Sequence, residues 1–186
     1  MSIEDFKQHL DNDDTLGAIL SLNTLHQDYK DSRRSSLYGN TLLTYATKAE
    51  NLPVVQALIA DGVNIDGRGE QEWTALHISS GLNNIELTEL LIKSGADLNA
   101  RDTKKNTPLH LAVIQGSVDV MEVLIKSGAD INAQNDHGFT WTPLHHALNF
   151  RQYPMIKMLM NNGADLDVPD STGRTPRYML SHLPQK

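Results

Sequence analysis

Apolar residues recur along this chain in short, evenly spaced bursts. In Val118-Asp119-Val120-Met121-Glu122-Val123-Leu124-Ile125 they leave Val120, Val123 and Leu124 on one stripe, the spacing of a helix with one buried face. Leu87-Thr88-Glu89-Leu90-Leu91-Ile92 and Met155-Ile156-Lys157-Met158-Leu159-Met160 match it. A shorter run precedes, as in Leu109-His110-Leu111-Ala112-Val113, and a glycine follows: Gly95, Gly128 or Gly163. Thr107 before Pro108 predicts the start of the shorter helix, since a threonine side chain caps free N–H groups and proline lacks the donor that would go unpaired there. Gly116 lets the chain reverse, and Gly128 suits the left-handed position that ends a helix. Pro53 and Pro154 open the longer helix in the first and fourth of these units, where a first turn accepts proline.

The units are near-copies. Thr74-Ala75-Leu76-His77, Thr107-Pro108-Leu109-His110, Thr142-Pro143-Leu144-His145 and a weaker Thr175-Pro176-Arg177-Tyr178 follow a degraded first copy at Thr41, in steps of 33, 33, 35 and 33 residues. A period of this size predicts an all-α stack of helix–turn–helix units forming one domain. The repeats run 41–73, 74–106, 107–141 and 142–174, with residues 1–40 as N-terminal capping helices and 175–186 as a partial C-terminal cap. In the N-terminal part, Phe6 and Leu10 and then Leu16, Ile19, Leu20 and Leu22 predict two amphipathic helices, the second capped by Asp13 or Asp14. At the other end, Arg177 replaces the usual leucine and Pro184 blocks extension.

Thr-Pro-Leu-His, the small residue at Ala112 or Ala147, and the exits Gly95-Ala96-Asp97-Leu98-Asn99 and Gly128-Ala129-Asp130-Ile131-Asn132 resemble the ankyrin repeat family. The resemblance spans residues 41–186 and implies a curved solenoid with protruding hairpin loops. It also marks departures. Glu72 and Lys105 stand where the family has glycine, with strain of about 1 kcal/mol if the backbone there is left-handed. The 35-residue step implies a longer hairpin around Phe139-Thr140-Trp141, and His146 takes a position that is usually apolar.

Composition narrows the function. The net charge of −7 opposes binding to nucleic acid or to anionic lipid, both of which draw on Lys and Arg. No cysteine is present, which removes disulfides, thiol nucleophiles and Cys-containing zinc sites. The acidic start Met1-Ser2-Ile3-Glu4-Asp5-Phe6 does not read as a signal peptide, and no apolar run reaches the roughly 20 residues of a membrane helix. A soluble, cytoplasmic monomer is expected.

Candidate chemistry is sparse. His77, His110 and His145 occur one per unit, and packed helices lie about 8–10 Å apart, too far for one zinc ion. They read instead as side chains bonded to nearby backbone. Asp11-Asn12-Asp13-Asp14-Thr15 lacks the later glycine and acid of a calcium loop and reads as a helix cap. Gly67-Arg68-Gly69 lacks the setting of a phosphate cradle, and no Gly-x-Ser-x-Gly elbow or His-Glu-x-x-His pair occurs. Arg33-Arg34-Ser35-Ser36 reads as a solvated loop with a possible phosphorylation role, and Asn99 and Asn132 as structural exit residues that resemble hydroxylation targets. Neither a cofactor nor a metal is expected, and the chain reads as a non-enzyme.

The resemblance implies that partners are read by the hairpin tips, the residue before each threonine, and the exposed end of each first helix. Here those positions are Tyr38, then Arg68, Glu70, Gln71 and Trp73, then Arg101, Thr103, Lys104, Ile114 and Gln115. Asp136, His137, Phe139, Trp141, Asn149, Phe150 and Arg174 complete the set, with Leu37, Asn40, Leu82, Asn106, Ser171 and Thr172 beside them. Both tryptophans and two of three phenylalanines fall in it, and aromatics dominate interface energetics. Trp73 reads equally as contact surface or as packing against the next hairpin. Met155, Met158 and Met160 read as core residues of the last longer helix, with end-to-end dimerisation as the other option. The expected function is a protein-binding module whose concave surface grips a protein partner. Alternatives are a bacterial immunity or antitoxin-type inhibitor, a host-targeting effector, an adaptor, and a hydrolase or transferase drawing on the His and Asp supply.

Overall fold

The computed structural model of the protein describes residues 3–21, 41–136 and 138–182. Two helices, α1 (Ile3–Asp11) and α2 (15–21), precede four helix pairs: α3 (Leu42–Lys48) with α4 (Leu52–Ala60), α5 (Ala75–Gly81) with α6 (Ile85–Lys93), α7 (Pro108–Gln115) with α8 (Val118–Lys126), and α9 (Pro143–Asn149) with α10 (Tyr153–Asn161). A further first helix, α11 (Pro176–Ser181), follows. First helices pack on one another in the order α3, α5, α7, α9, α11, and α6, α8 and α10 form a second row. No strand occurs among the described residues. Leu43, Leu76, Leu109 and Leu144, all buried, recur two residues after successive threonines and run the core along the stack.

The start of each first helix sets the stacking. Thr41, Thr74, Thr107, Thr142 and Thr175 each accept the N–H three residues on. In the middle three units the residue at that third position is histidine, and its Nδ1 accepts the threonine backbone N–H at 3.2 Å. This is a capping box with imidazole in the role usually taken by Glu or Gln. With Nδ1 accepting, the proton sits on Nε2, which donates to the carbonyl just before the next unit's threonine: His77 to Asn106 at 3.0 Å, His110 to Trp141 at 3.0 Å, and His145 to Arg174 at 3.3 Å. Both nitrogens of each ring are therefore spent on backbone. Groups of three metal-ligating side chains do not occur among the described residues.

The two ends differ from the sequence expectation. Phe6 and Leu10 are buried as expected, but α2 turns Ala18 and Ser21 inward and leaves Leu16 75% and Leu20 60% exposed. The two small residues face inward and the leucines take the outer face. Asp14 provides the cap, accepting the Gly17 N–H at 2.9 Å. In α10, Met155 is buried and Met158 partly so, whereas Met160 is exposed at the helix end. Arg177 does not fill the core slot of its leucine counterparts. Instead it forms a two-point pair with Asp167 at 2.7 and 2.8 Å. Leu22, Tyr38, Leu37, Asn40, the Arg33–Ser36 stretch, His137 and Pro184 lie outside the described residues.

Two predictions follow from these caps and turns. Burial is the main cause that lowers the pKa of His77, His110 and His145, and it takes His110 to about 4. In the unfolded chain histidine binds its proton near pH 6.5, so below that the unfolded state gains protons that the folded state refuses. Stability should then fall as pH drops from 6.5 toward 4, with His110 alone accounting for about 2 kcal/mol by pH 5. Melting curves at pH 7.5 and pH 5 will show it as a lower Tm in acid. Lys105 sits at φ 58°, where glycine carries no side-chain penalty. Lys105→Gly should raise Tm by about 1–3 °C, even though it removes the exposed Lys105–Asp136 pair.

Candidate functional site

Between the stacked units, the chain crosses in hairpins; Gly69 N donates to Trp73 O at 2.8 Å to close the first, and one buried side chain organises each of the other three. Asp102 accepts the N–H groups of Lys104 and Asn106, both at 2.8 Å, and Asp170 accepts those of Thr172 and Arg174 at 2.8 and 3.0 Å. Burial by itself pushes the Asp170 carboxyl up. The hydrogen bonds from Thr172 and Arg174 outweigh it and hold the group well below the usual carboxylate range. The longer hairpin uses Asn135, whose N–H donates to Trp141 O and whose Oδ1 accepts the Trp141 N–H, both at 2.9 Å. That closure spans six residues where Asp102–Asn106 and Asp170–Arg174 span four, so the two extra residues are absorbed locally. Thr140 takes φ 47° to make the turn.

Neighbouring hairpins are then tied together. Thr103 N donates to Gln71 O, Asp136 N to Lys104 O and Ser171 N to Phe139 O, at 2.7–3.0 Å. The Arg68 guanidinium reaches Arg101 O at 2.6 Å, Arg101 reaches Gln134 O in the same way, and the Gln134 amide reaches Pro169 O at 2.9 Å. Arg68 and Arg101 thus act as clamps between hairpins, in addition to whatever surface they present. On the opposite edge, the exits repeat the pattern with Asp66, Asn99 and Asn132, which accept the N–H of Asp97, Asp130 and Asp165. The structural role expected for the two asparagines is thereby filled.

The tryptophans join this scaffold. Trp73 Nε1 donates to Asp102 at 3.1 Å and Trp141 Nε1 to Asp170 at 3.2 Å, each reaching into the following hairpin. Asn106 departs from its expected surface role: it is 3% exposed and its amide nitrogen donates to Asp102 at 3.0 Å. Its oxygen accepts the Asn135 amide at 2.7 Å, and that same amide donates to His146 Nε2 at 2.9 Å. His146 was unexplained by sequence; here it anchors the long hairpin to α9. Its ring also stands edge-on to Trp141 at 5.0 Å and stacks on Phe150 at 6.1 Å.

The scaffold leaves two aromatic rings outward among polar side chains. Phe139 is 44% exposed and Phe150 50% exposed, with Phe139 stacked on Trp141 at 5.3 Å and the Arg174 guanidinium 5.7 Å above the Phe139 ring. Gln71, Glu70, Thr103, Lys104, Gln115, Asp136 and Asn149 are exposed, whereas Trp73, Arg101, Ile114, Trp141 and Arg174 are half-buried. One hollow opens on this side, about 300 Å³ in volume, where the hairpin residues Gln71 and Trp73 meet Ile78, Gly81, Leu82, Leu111 and Gln115 of the first helices. Lys48 and Glu70 add one charge of each sign to its lining. Sequence reading named Trp73, Leu82 and the polar rim but passed over Ile78, Leu111 and Gly81. The signal was present in the repeat: seven residues after the threonine come Lys48, Gly81, Ile114 and Asn149, and only Gly81 has no side chain.

The family profile described as ankyrin repeats (3 copies) matches residues 11–102, 43–135 and 109–180, so the overlapping matches cover most of the chain. This chain belongs to the ankyrin repeat family. No curated protein matches it. Ankyrin repeats are in general protein–protein interaction modules and typically carry no catalysis. No helix of the described residues of this ankyrin repeat protein is long and apolar enough to cross a membrane.

The Trp141 latch can be checked directly. Trp141→Phe keeps an aromatic ring beside Phe139 and removes the N–H to Asp170 with part of the indole, while the Asp170 carboxylate keeps Thr172 and Arg174 as partners. A loss of about 1 kcal/mol is expected, read as a Tm lower by about 2–4 °C.

Proposed function

We propose that this ankyrin repeat protein is a non-catalytic module that binds a protein partner through its hairpins and first-helix ends. The reading rests on one observation: Phe139 and Phe150 stay half exposed on a hairpin and helix end that Asn135, His146, Trp141 and Asp170 tie down. Rigid, exposed aromatics give up little conformational entropy when covered, and interface energy concentrates in such residues. Gln71, Trp73, Thr103, Ile114, Gln115 and Asn149 extend the contact along the stack. Arg68 and Arg101 take part mainly by holding the hairpins in register.

Charge bears on the kind of partner. The four hairpins hold Arg68, Arg101, Lys104, Lys105 and Arg174 against Glu70, Glu72, Asp102, Asp136 and Asp170, so the proposed face is close to neutral while the chain as a whole is −7. A face of this kind selects by shape and apolar contact. An inhibitor that masks a basic toxin by charge is therefore less well supported than an adaptor-like binder.

The test compares binding with stability. Phe139→Ala with Phe150→Ala should weaken capture of specific partners from the native cell at least tenfold and leave Tm within about 2 °C of wild type. Glu122→Ala with Lys126→Ala, on the second row of helices, should leave capture unchanged. Equal capture by wild type and both variants would refute the assignment of this face.

A further inference from the structure

Gly81 is the last residue of α5, and nothing in the backbone asks for glycine there. Its φ is not in the left-handed range, and a Cβ built on it would meet only Gln115 Cγ at 3.8 Å, an ordinary contact. Glycine inside a helix is a poor choice for stability. Its counterpart in the next unit is Ile114, which shows that the position accommodates a branched apolar side chain in this stack. What glycine does at this place is leave space. The hollow of about 300 Å³ lies where that side chain would project, walled by Trp73, Ile78, Leu82 and Leu111. Leu82, 43% exposed, adds an apolar edge that the core does not use.

We infer that the notch over Gly81 is an anchor pocket for one large, uncharged apolar side chain of the protein partner. The inference rests on the proposed binding face and deepens it, since the notch is continuous with the row of first-helix ends that carries Ile114 and Phe150. Charge selects the occupant. Lys48 and Glu70 cancel, leaving apolar walls that stabilise an uncharged side chain and penalise a charged one stripped of water. The amides of Gln71 and Gln115 at the rim offer both donors and acceptors to a peptide backbone. The volume is at the lower end of small-molecule pockets and suits a single side chain entering from a larger body.

The pocket can be closed without harming the fold. Gly81→Ile copies the residue of the next unit into the notch, and Tm should equal or exceed that of wild type. Random 12-residue peptides displayed on phage are selected against the full-length chain, then measured on wild type, Gly81→Ile and Phe139→Ala with Phe150→Ala. The enriched peptides should share one large apolar residue and no fixed charge, and bind Gly81→Ile at least tenfold more weakly. Failure to enrich any peptide, a shared charged residue, or equal binding to Gly81→Ile would overturn the pocket. Peptides lost on the Phe139/Phe150 variant but not on Gly81→Ile would keep the binding face and sink the notch, while peptides blind to both would sink both. A concentration-dependent dimer of the wild type, abolished in Gly81→Ile, would put a second copy in the notch and also overturn the assignment.

Discussion

Each interior unit is joined to the next by one neutral imidazole. Its Nδ1 closes the cap of its own helix, and its Nε2–H reaches the carbonyl of the residue before the next threonine, at Asn106, Trp141 and Arg174. That bond sets how one helix pair sits on the following one and where the following hairpin leaves the stack. It also fixes the tautomer, because only an unprotonated Nδ1 accepts the threonine N–H. Burial supports the same choice by disfavouring the charged ring. Hairpin position, and with it the proposed binding face, thus depends on three buried histidines.

The hairpins add a second, lateral set of bonds on this base. From Trp73 through Asp102, Asn106 and Asn135 to His146, and from Trp141 to Asp170, donors and acceptors alternate without conflict across the hairpins. Each assignment is forced by its neighbour. The Trp141 N–H must find Asn135 Oδ1, which leaves the Asn135 amide nitrogen to face Asn106 Oδ1 and His146 Nε2. Bonds ordered in this way hold together the loops that carry them. Phe139 is therefore displayed on an ordered platform, and the tryptophans beside it serve the platform as much as the surface.

The ends of the stack follow different rules from the middle. At Asp167 the exit position that elsewhere accepts the next unit's N–H pairs instead with Arg177 of α11. Arg177 in place of leucine, a departure in the sequence pattern, is accounted for by this pair.

The period of the threonines, the prolines behind them and the apolar stripes determined the all-helical stack, because caps and helix faces are local and repeat wherever the same residues recur. His77, His110 and His145 were legible as backbone-bonded side chains for the same reason. The face of α2, the burial of Asn106, the role of His146 and the void over Gly81 were not. Each depends on which side chain of another element stands across from it, such as Asn135 for Asn106 and His146 or Leu111 for Gly81, and sequence spacing specifies distance along the stack but not what a given atom meets there. A missing side chain is the extreme case. Glycine at position 81 says only that something is absent, and the walls supplied by Trp73, Leu82 and Leu111 turn that absence into a shape.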